Sequence, residues 1–219
     1  MLVDASSLSN AVRYLAEREP VLHALYAENG LPPLWHREGG FATIVALILE
    51  QQVSLASARA ANRRLVDVLG GEVDAAGLLE LSDQDLRAVG FSRQKADYCR
   101  DLATEVLAGR FDASHLESLD DGAARSRLQG LRGVGPWTAE CYLLFCLRRP
   151  DAWPTGDRAL YVSMRDVFDL GEVPSPMDGD DRALRWSPWR SVAARMLWHD
   201  YLRRRGLDPH GLGTSDGGG

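Results

Sequence analysis

The chain has 219 residues, 45% of them hydrophobic, and a formal net charge of −6. That length and apolar fraction allow a buried core organised as one or two compact units. The acidic balance excludes a protein that coats nucleic acid through bulk positive charge, while leaving room for a local basic footprint.

Residues 7 to 29 carry apolar side chains at helical spacing, Val12 and Leu15 and then Leu22 and Leu25, with Pro20 separating two helices. Leu31-Pro32-Pro33-Leu34-Trp35 reads as a stiff, extended connector. Phe41 to Glu50, after Gly39-Gly40, is apolar almost all round and is expected to be a central core helix. Gln51 and Gln52 follow, where glutamines serve as polar helix formers at a helix end. Leu55 to Leu69 predicts a helix stopped by Gly70-Gly71, and Ser82-Asp83-Gln84-Asp85 predicts a helix cap before Leu86. A glycine turn at Gly90 precedes a long helix to about Gly109, in which Arg93 and Lys95 are candidate phosphate contacts or solvated surface charge. Short helical segments follow at about 113 to 119 and 120 to 129, and then an apolar helix at 137 to 147.

The loop 148 to 156 contains Pro150 and Pro154, and Asp157 opens a helix toward Phe168. Gly171 to Asp181, rich in Pro, Gly and Asp, reads as a mobile loop. Ser187-Pro188 is a start signal, Ser as cap and Pro at the first helical position, for a last helix reaching Arg205. The tail, 211 to 219, ends in three glycines and is expected to be disordered. No strand-like alternation of useful length occurs, so the fold is expected to be all-α. Three cysteines, Cys99, Cys141 and Cys146, have no paired spacing, which argues against a disulfide framework; Cys141 and Cys146 read as small core residues. With no signal peptide and no apolar run long enough to span a bilayer, the chain reads as soluble and intracellular, in the cytoplasm (nucleoid) or the nucleus, with no membrane partner.

The most informative stretch is Gly130-Leu131-Arg132-Gly133-Val134-Gly135-Pro136-Trp137-Thr138-Ala139-Glu140, followed downstream by Trp153-Pro154-Thr155-Gly156-Asp157. Gly133 and Gly135 permit backbone angles that other residues resist, so the chain can turn tightly and bring its amides close to a ligand. Unpaired N–H groups at the start of the next helix favour an anion such as phosphate. Arg125, Arg127, Arg132, Arg148, Arg149 and Arg158 fall around this turn, and as a group they are expected to face that anion.

Leu131 to Ala139 resembles the hairpin of the helix-hairpin-helix DNA glycosylases, the superfamily with a Gly/Pro-rich loop and a catalytic Asp. The resemblance runs from about Phe41 to Arg205. It implies an all-α fold of two helical subdomains with a cleft between them and no N-terminal β domain. Residues 1 to 210 would form one glycosylase unit, with the helix-hairpin-helix at about 120 to 147. Helices of 1 to 40 and 158 to 205 would pack as one subdomain and 41 to 147 as the other. It implies that Leu131, Arg132, Gly133, Val134, Gly135 and Thr138 grip the DNA backbone and that Asp157 is the catalytic carboxylate. Trp137 stands where strand-cleaving members carry a Lys, which matches the monofunctional DNA-3-methyladenine glycosylase branch. Trp137, Trp198 and Tyr142 are implied to line the base pocket, with Trp189 a further candidate. Gln51 and Gln52 would stand where a wedge enters the gap left by the extruded nucleotide, Gln52 being the better placed. No iron–sulfur cluster is expected, because the four cysteines that some members carry near the C-terminus are absent; no metal site is expected, although hairpin carbonyls can hold a monovalent cation. The implied partner is damaged double-stranded DNA, bound by a monomer.

Local sequence alone reads Asp157 as an N-cap, and a capping carboxylate beside a phosphate-binding motif can do both jobs. Between Leu131 and Ala139 there is no His, Glu or Lys to protonate a departing neutral base. An alkylated purine such as 3-methyladenine or 7-methylguanine is already cationic, so stabilising the sugar could suffice. Excision of another lesion (hypoxanthine, uracil, an ethenoadduct) and a non-catalytic helix-hairpin-helix DNA-binding module remain the rival readings.

Overall fold

A computed structural model describes residues 2–209, and among them every regular element is helical. The tail expected to be disordered, 211 to 219, lies outside these residues. Helix α1 is Ala5–Arg18 and α2 is Pro20–Asn29, divided at Pro20, which occupies the first position of α2. After the irregular connector come α3 (Phe41–Glu50) and α4 (Leu55–Val68), the second capped by Ser54. A short helix that the sequence reading passed over, α5 (Ala75–Glu80), is followed by α6 (Asp83–Val89) and α7 (Arg93–Leu107). Ser82 and Asp85 form a reciprocal capping box on α6. A 3-10 turn, Ala113–Ser118, leads to α8 (Asp121–Gln129), the hairpin, and α9 (Pro136–Phe145). The chain closes with α10 (Arg158–Val167), α11 (Pro176–Ala183) and α12 (Arg190–Arg204).

Two compact units result among the described residues, one made of 2–37 together with 143–209, the other of Glu38–Tyr142. In the continuous unit α3 is the core element. Ile44, Val45, Leu47, Ile48 and Leu49 are all buried on a helix of ten residues, packed against α4 and α7. Each such side chain taken from water contributes about 1.5–3 kcal/mol before conformational entropy is set against it.

The discontinuous unit is built round α12, against which α1, α2 and α10 pack. Every residue from Ser191 to Asp200 is buried, polar ones included. Arg195 is fully buried and donates to three carbonyls: Ser191 at 3.0 Å, Leu34 at 3.0 Å and Leu144 at 2.9 Å. Burial pulls its guanidinium down to about 9, still protonated at neutral pH. Asp200 is likewise buried and accepts Arg204 Nε–H at 2.8–2.9 Å.

Two expectations are corrected here. The segment 171 to 181 is a loop only as far as 175, and from Pro176 it is helical: Ser175 caps α11 by accepting the N–H of Asp178, with Pro176 at the first position. Asp178 in the first turn complements the helix dipole, which outweighs the loop-like composition. Conversely, Ser187-Pro188 does not start the last helix. That helix begins at Arg190, whose N–H is accepted by Asp151 Oδ1 at 3.2 Å, while the Ser187 hydroxyl also donates to Asp151.

Candidate functional site

The hairpin takes shape from a short run of turn hydrogen bonds, Leu131 N–H to Leu128 O at 3.0 Å and Val134 N–H to Leu131 O at 3.1 Å. Leu131 and Val134 bury their side chains and hold the turn down. Gly133 has φ +85°, and a Cβ there would lie 2.3 Å from the Tyr98 ring, so glycine is required twice over. Gly135 is a correction to the sequence reading. Its φ is not positive, and a Cβ would meet no atom within 4 Å, so open space rather than dihedral freedom distinguishes it. Its carbonyl accepts the N–H of Ala139 at 3.0 Å, the first bond of α9.

The end of α3 braces this turn. Gln51 Nε2 donates to Gly133 O and to Thr138 Oγ1, both at 2.9 Å. Lys95 Nζ donates to Leu49 O at 2.7 Å and Gln51 O at 2.8 Å, so it closes the C-terminus of α3 instead of meeting a phosphate. Partial burial pushes the Lys95 ammonium below its ordinary value. Gln52, one residue on, is exposed and sits at φ +57°, a left-handed position that turns its side chain away from the path of α3. The two glutamines therefore have different surroundings: Gln51 holds the hairpin, and Gln52 projects.

The arginines do not act as one cluster. Arg132 pairs with Asp101 at 2.6 Å and lies over the Tyr98 ring. Arg125 binds Glu140, which is buried on α9, and Arg127 donates to Arg110 O. Tyr142 is a further correction, because it is 1% exposed and its hydroxyl accepts the Gly40 N–H at 2.9 Å. Five residues after Trp137, it points about 140° round the helix from that partly exposed ring, into the core.

In the other unit, Asp157 stands at the N-cap of α10 with its side chain half-buried. Oδ1 accepts the Leu160 N–H at 2.9 Å and the Trp198 Nε1–H at 3.1 Å. Trp198 is 6% exposed, stacked on Phe145 at 5.5 Å and met edge-on by Trp35 at 6.4 Å. Its closest chemical role is thus to hold the carboxylate. Trp35 takes φ +49° to present its ring, and Arg37 lies over the Phe145 face at 4.7 Å. These aromatic partners were not singled out from the sequence, since Trp35 lies in a connector and Phe145 in an apolar run. Trp189, the further candidate for the base pocket, stands partly exposed at the N-cap of α12. The segment before Asp157 is tied to α11 through Asp180, another residue that sequence reading passed over.

The model of the HhH-GPD superfamily base excision DNA repair proteins matches residues 45–188, well over half of the chain. The chain belongs to that superfamily. The HhH-GPD match takes in the hairpin and Asp157, while Trp198 lies beyond it. Among HhH-GPD relatives, the DNA-3-methyladenine glycosylase of Bacillus subtilis is 26% identical over 162 residues, 69% of this chain and 54% of that one. The fold is that of the Schizosaccharomyces pombe 3-methyladenine DNA glycosylase Mag1, whose structure was solved in complex with abasic DNA. The two superpose with a TM-score of 0.80 at 24% identity, over 86% of this chain and 95% of that one. A DNA-3-methyladenine glycosidase structure from Bacillus halodurans aligns with a TM-score of 0.73 at 26% identity, over 95% of each chain. The chain spans only 54–64% of the length of the first curated relatives that it matches. Among the described residues no group of three or more His, Cys, Asp or Glu side chains forms a metal site, and no helix is long and apolar enough to cross a membrane.

Proposed function

We propose that the protein is a monofunctional DNA glycosylase that flips out alkylated purines and hydrolyses their N-glycosidic bonds, leaving an abasic site. The observation that carries this reading is the setting of Asp157: a carboxylate fixed by a helix N-terminus and an indole N–H, in a chain of the HhH-GPD superfamily. The names of its relatives, 3-methyladenine glycosylases of bacteria and yeast, support the same class of lesion.

Breaking the bond to an N3- or N7-alkylated purine builds positive charge on the sugar, as in other glycosyl transfers. A carboxylate about 4 Å from that charge stabilises it by roughly 4 kcal/mol at an effective dielectric near 20. That amounts to about a thousandfold in rate. Because two donors already hold Oδ1 in place, little reorganisation is needed as the charge develops. Asp157 also serves to orient or deprotonate the attacking water. The base leaves as a neutral molecule, because it was cationic before the bond broke, so no separate acid is required.

Hairpin backbone at Gly133 and Gly135 would receive the phosphate strand, where the open space at Gly135 admits close approach. Trp137, partly exposed at the start of α9, would stack on the extruded base, a cation over an aromatic face gaining about 0.5–2 kcal/mol. Gln52, exposed beyond the end of α3, would fill the vacated stack. The reaction needs no iron–sulfur cluster.

A panel of duplexes, each with one lesion, tests the reading. After incubation with the protein, 7-methylguanine duplexes should yield breaks only when treated with alkali. Breaks before alkali would contradict monofunctional chemistry. Release confined to uracil or hypoxanthine would move the substrate class, and tight binding without release from any duplex would favour the non-catalytic module.

A further inference from the structure

We propose that Asp180 is the positioning residue for Asp157, fixing the segment from which the reactive carboxylate projects. The inference rests on the reading that Asp157 acts at the sugar. Three side-chain donors converge on this one carboxylate. Oδ1 accepts the Trp153 Nε1–H at 2.8 Å and the Tyr161 O–H at 2.7 Å, and Oδ2 accepts the Thr155 hydroxyl. Having donated to Asp180, the Tyr161 hydroxyl accepts the N–H of Gly156 at 2.7 Å. Gly156 is the residue directly before Asp157. The network therefore grips the chain at 153, 155 and 156, and again one turn into α10.

The ordinary explanation for an acid in this part of a helix does not apply. α11 is capped by Ser175, and Asp180 is its fifth residue, past the first turn; all three donors named above lie on 153–161. Its neighbour supplies a second observation. A Cβ on Gly179 would lie 2.5 Å from the Tyr161 ring, so only glycine lets α11 seat closely enough for the carboxylate to reach its donors. Burial, with the Asp180 hydrogen bond adding to it, pushes the Tyr161 phenol up to about 12. The relay through Tyr161 thus keeps its proton at any working pH. Asp157 meets the network from one side and Leu160 N–H and Trp198 from the other, which fixes both the backbone and the side-chain angle of the carboxylate.

The test is single-turnover release of 7-methylguanine at saturating enzyme, beside the Kd for a duplex carrying a tetrahydrofuran abasic analogue. Asp180→Ala should release base at least 30-fold more slowly while its Kd stays within threefold of the native protein. Asp180→Asn should recover most of the rate, because its amide oxygen still accepts and the Thr155 hydroxyl can turn to accept from its NH2 group. Thr155→Val removes a single donor and should slow release about three- to tenfold, which decides the matter even if the alanine variant fails to fold. Folded variants that release base at the native rate would overturn the inference, as would a loss in Kd that matches the loss in rate. Native protein that releases no base would overturn it together with the reading on which it rests, whereas an active native protein with indifferent variants would overturn it alone.

Discussion

At Gly133 the backbone takes φ +85° and the space where a side chain would begin is filled by Tyr98, whose ring carbon lies 2.3 Å away. An alanine there meets both penalties, the left-handed backbone and the overpacked contact, which together cost about 2–4 kcal/mol. Gly133→Ala should lower the midpoint of urea unfolding accordingly, while Gly135→Ala, with open space around it, should leave the midpoint near the native value and weaken binding to an abasic-analogue duplex. Equal destabilisation by both substitutions would contradict this assignment. The spacing of the two glycines was legible in the sequence; which one is strained was not, because that depends on Tyr98, thirty-five residues earlier in the chain. The same distinction divides Gln51 from Gln52. Adjacent amides look alike in sequence, and only the path of the chain after α3 sends one to Gly133 and Thr138 and leaves the other exposed. Asp157 was legible as both cap and candidate acid, and the structure gives it the cap bond to Leu160. Its indole donor was beyond reach of local pattern, since Trp198 comes forty-one residues later.

Helices were the best-read elements wherever apolar periodicity and caps agreed, as for α3 after Gly40 and for α6 with its capping box. α12 shows where that method stops. Its buried face includes Ser191, Arg195, His199 and Asp200, so its pattern resembles a surface helix although it is the core of its unit. Its start depends on a partner from another segment. Asp151 caps Arg190 and is gripped by the same residue's guanidinium, Nε–H at 2.9 Å and Nη2–H at 2.8 Å. Burial alone would raise the Asp151 carboxyl, but the hydrogen bonds and charge of Arg190 outweigh it and hold the group below its ordinary value. A carboxyl depressed on folding stabilises the protein above its unfolded pKa, near 3.9, and that contribution fades as pH falls through the lower folded value. Arg190→Gln should therefore reduce Tm at pH 7, and the gap from the native protein should narrow as the pH falls below about 4. A gap that stays constant as the carboxyl protonates would show that the ion pair adds nothing to the stability of α12.

For the molecule as a whole, a net charge of −6 would leave the proposed DNA binding to local contacts, and the arginines around the hairpin already have partners: Arg125 with Glu140, Arg127 with Arg110 O, Arg132 with Asp101. Sequence clustering suggested a shared basic face, but helical geometry distributes these side chains among separate acids and carbonyls. The all-α architecture and the superfamily were readable, because glycine spacing, the apolar helices and the position of Asp157 all reside in contiguous stretches. The assembly of one unit from both ends of the chain was implied only by the family resemblance, since the contacts that make it join residues far apart in sequence, as when Arg195 binds the carbonyl of Leu34. The central claim is that Asp157 performs the chemistry and the rest of the chain brings DNA to it. It is tested most directly by comparing native protein with Asp157→Asn, which preserves the cap oxygen, in single-turnover release of 7-methylguanine and in binding to an abasic-analogue duplex. The account expects release to fall by about a thousandfold or more with binding retained; undiminished release by the asparagine variant would contradict it.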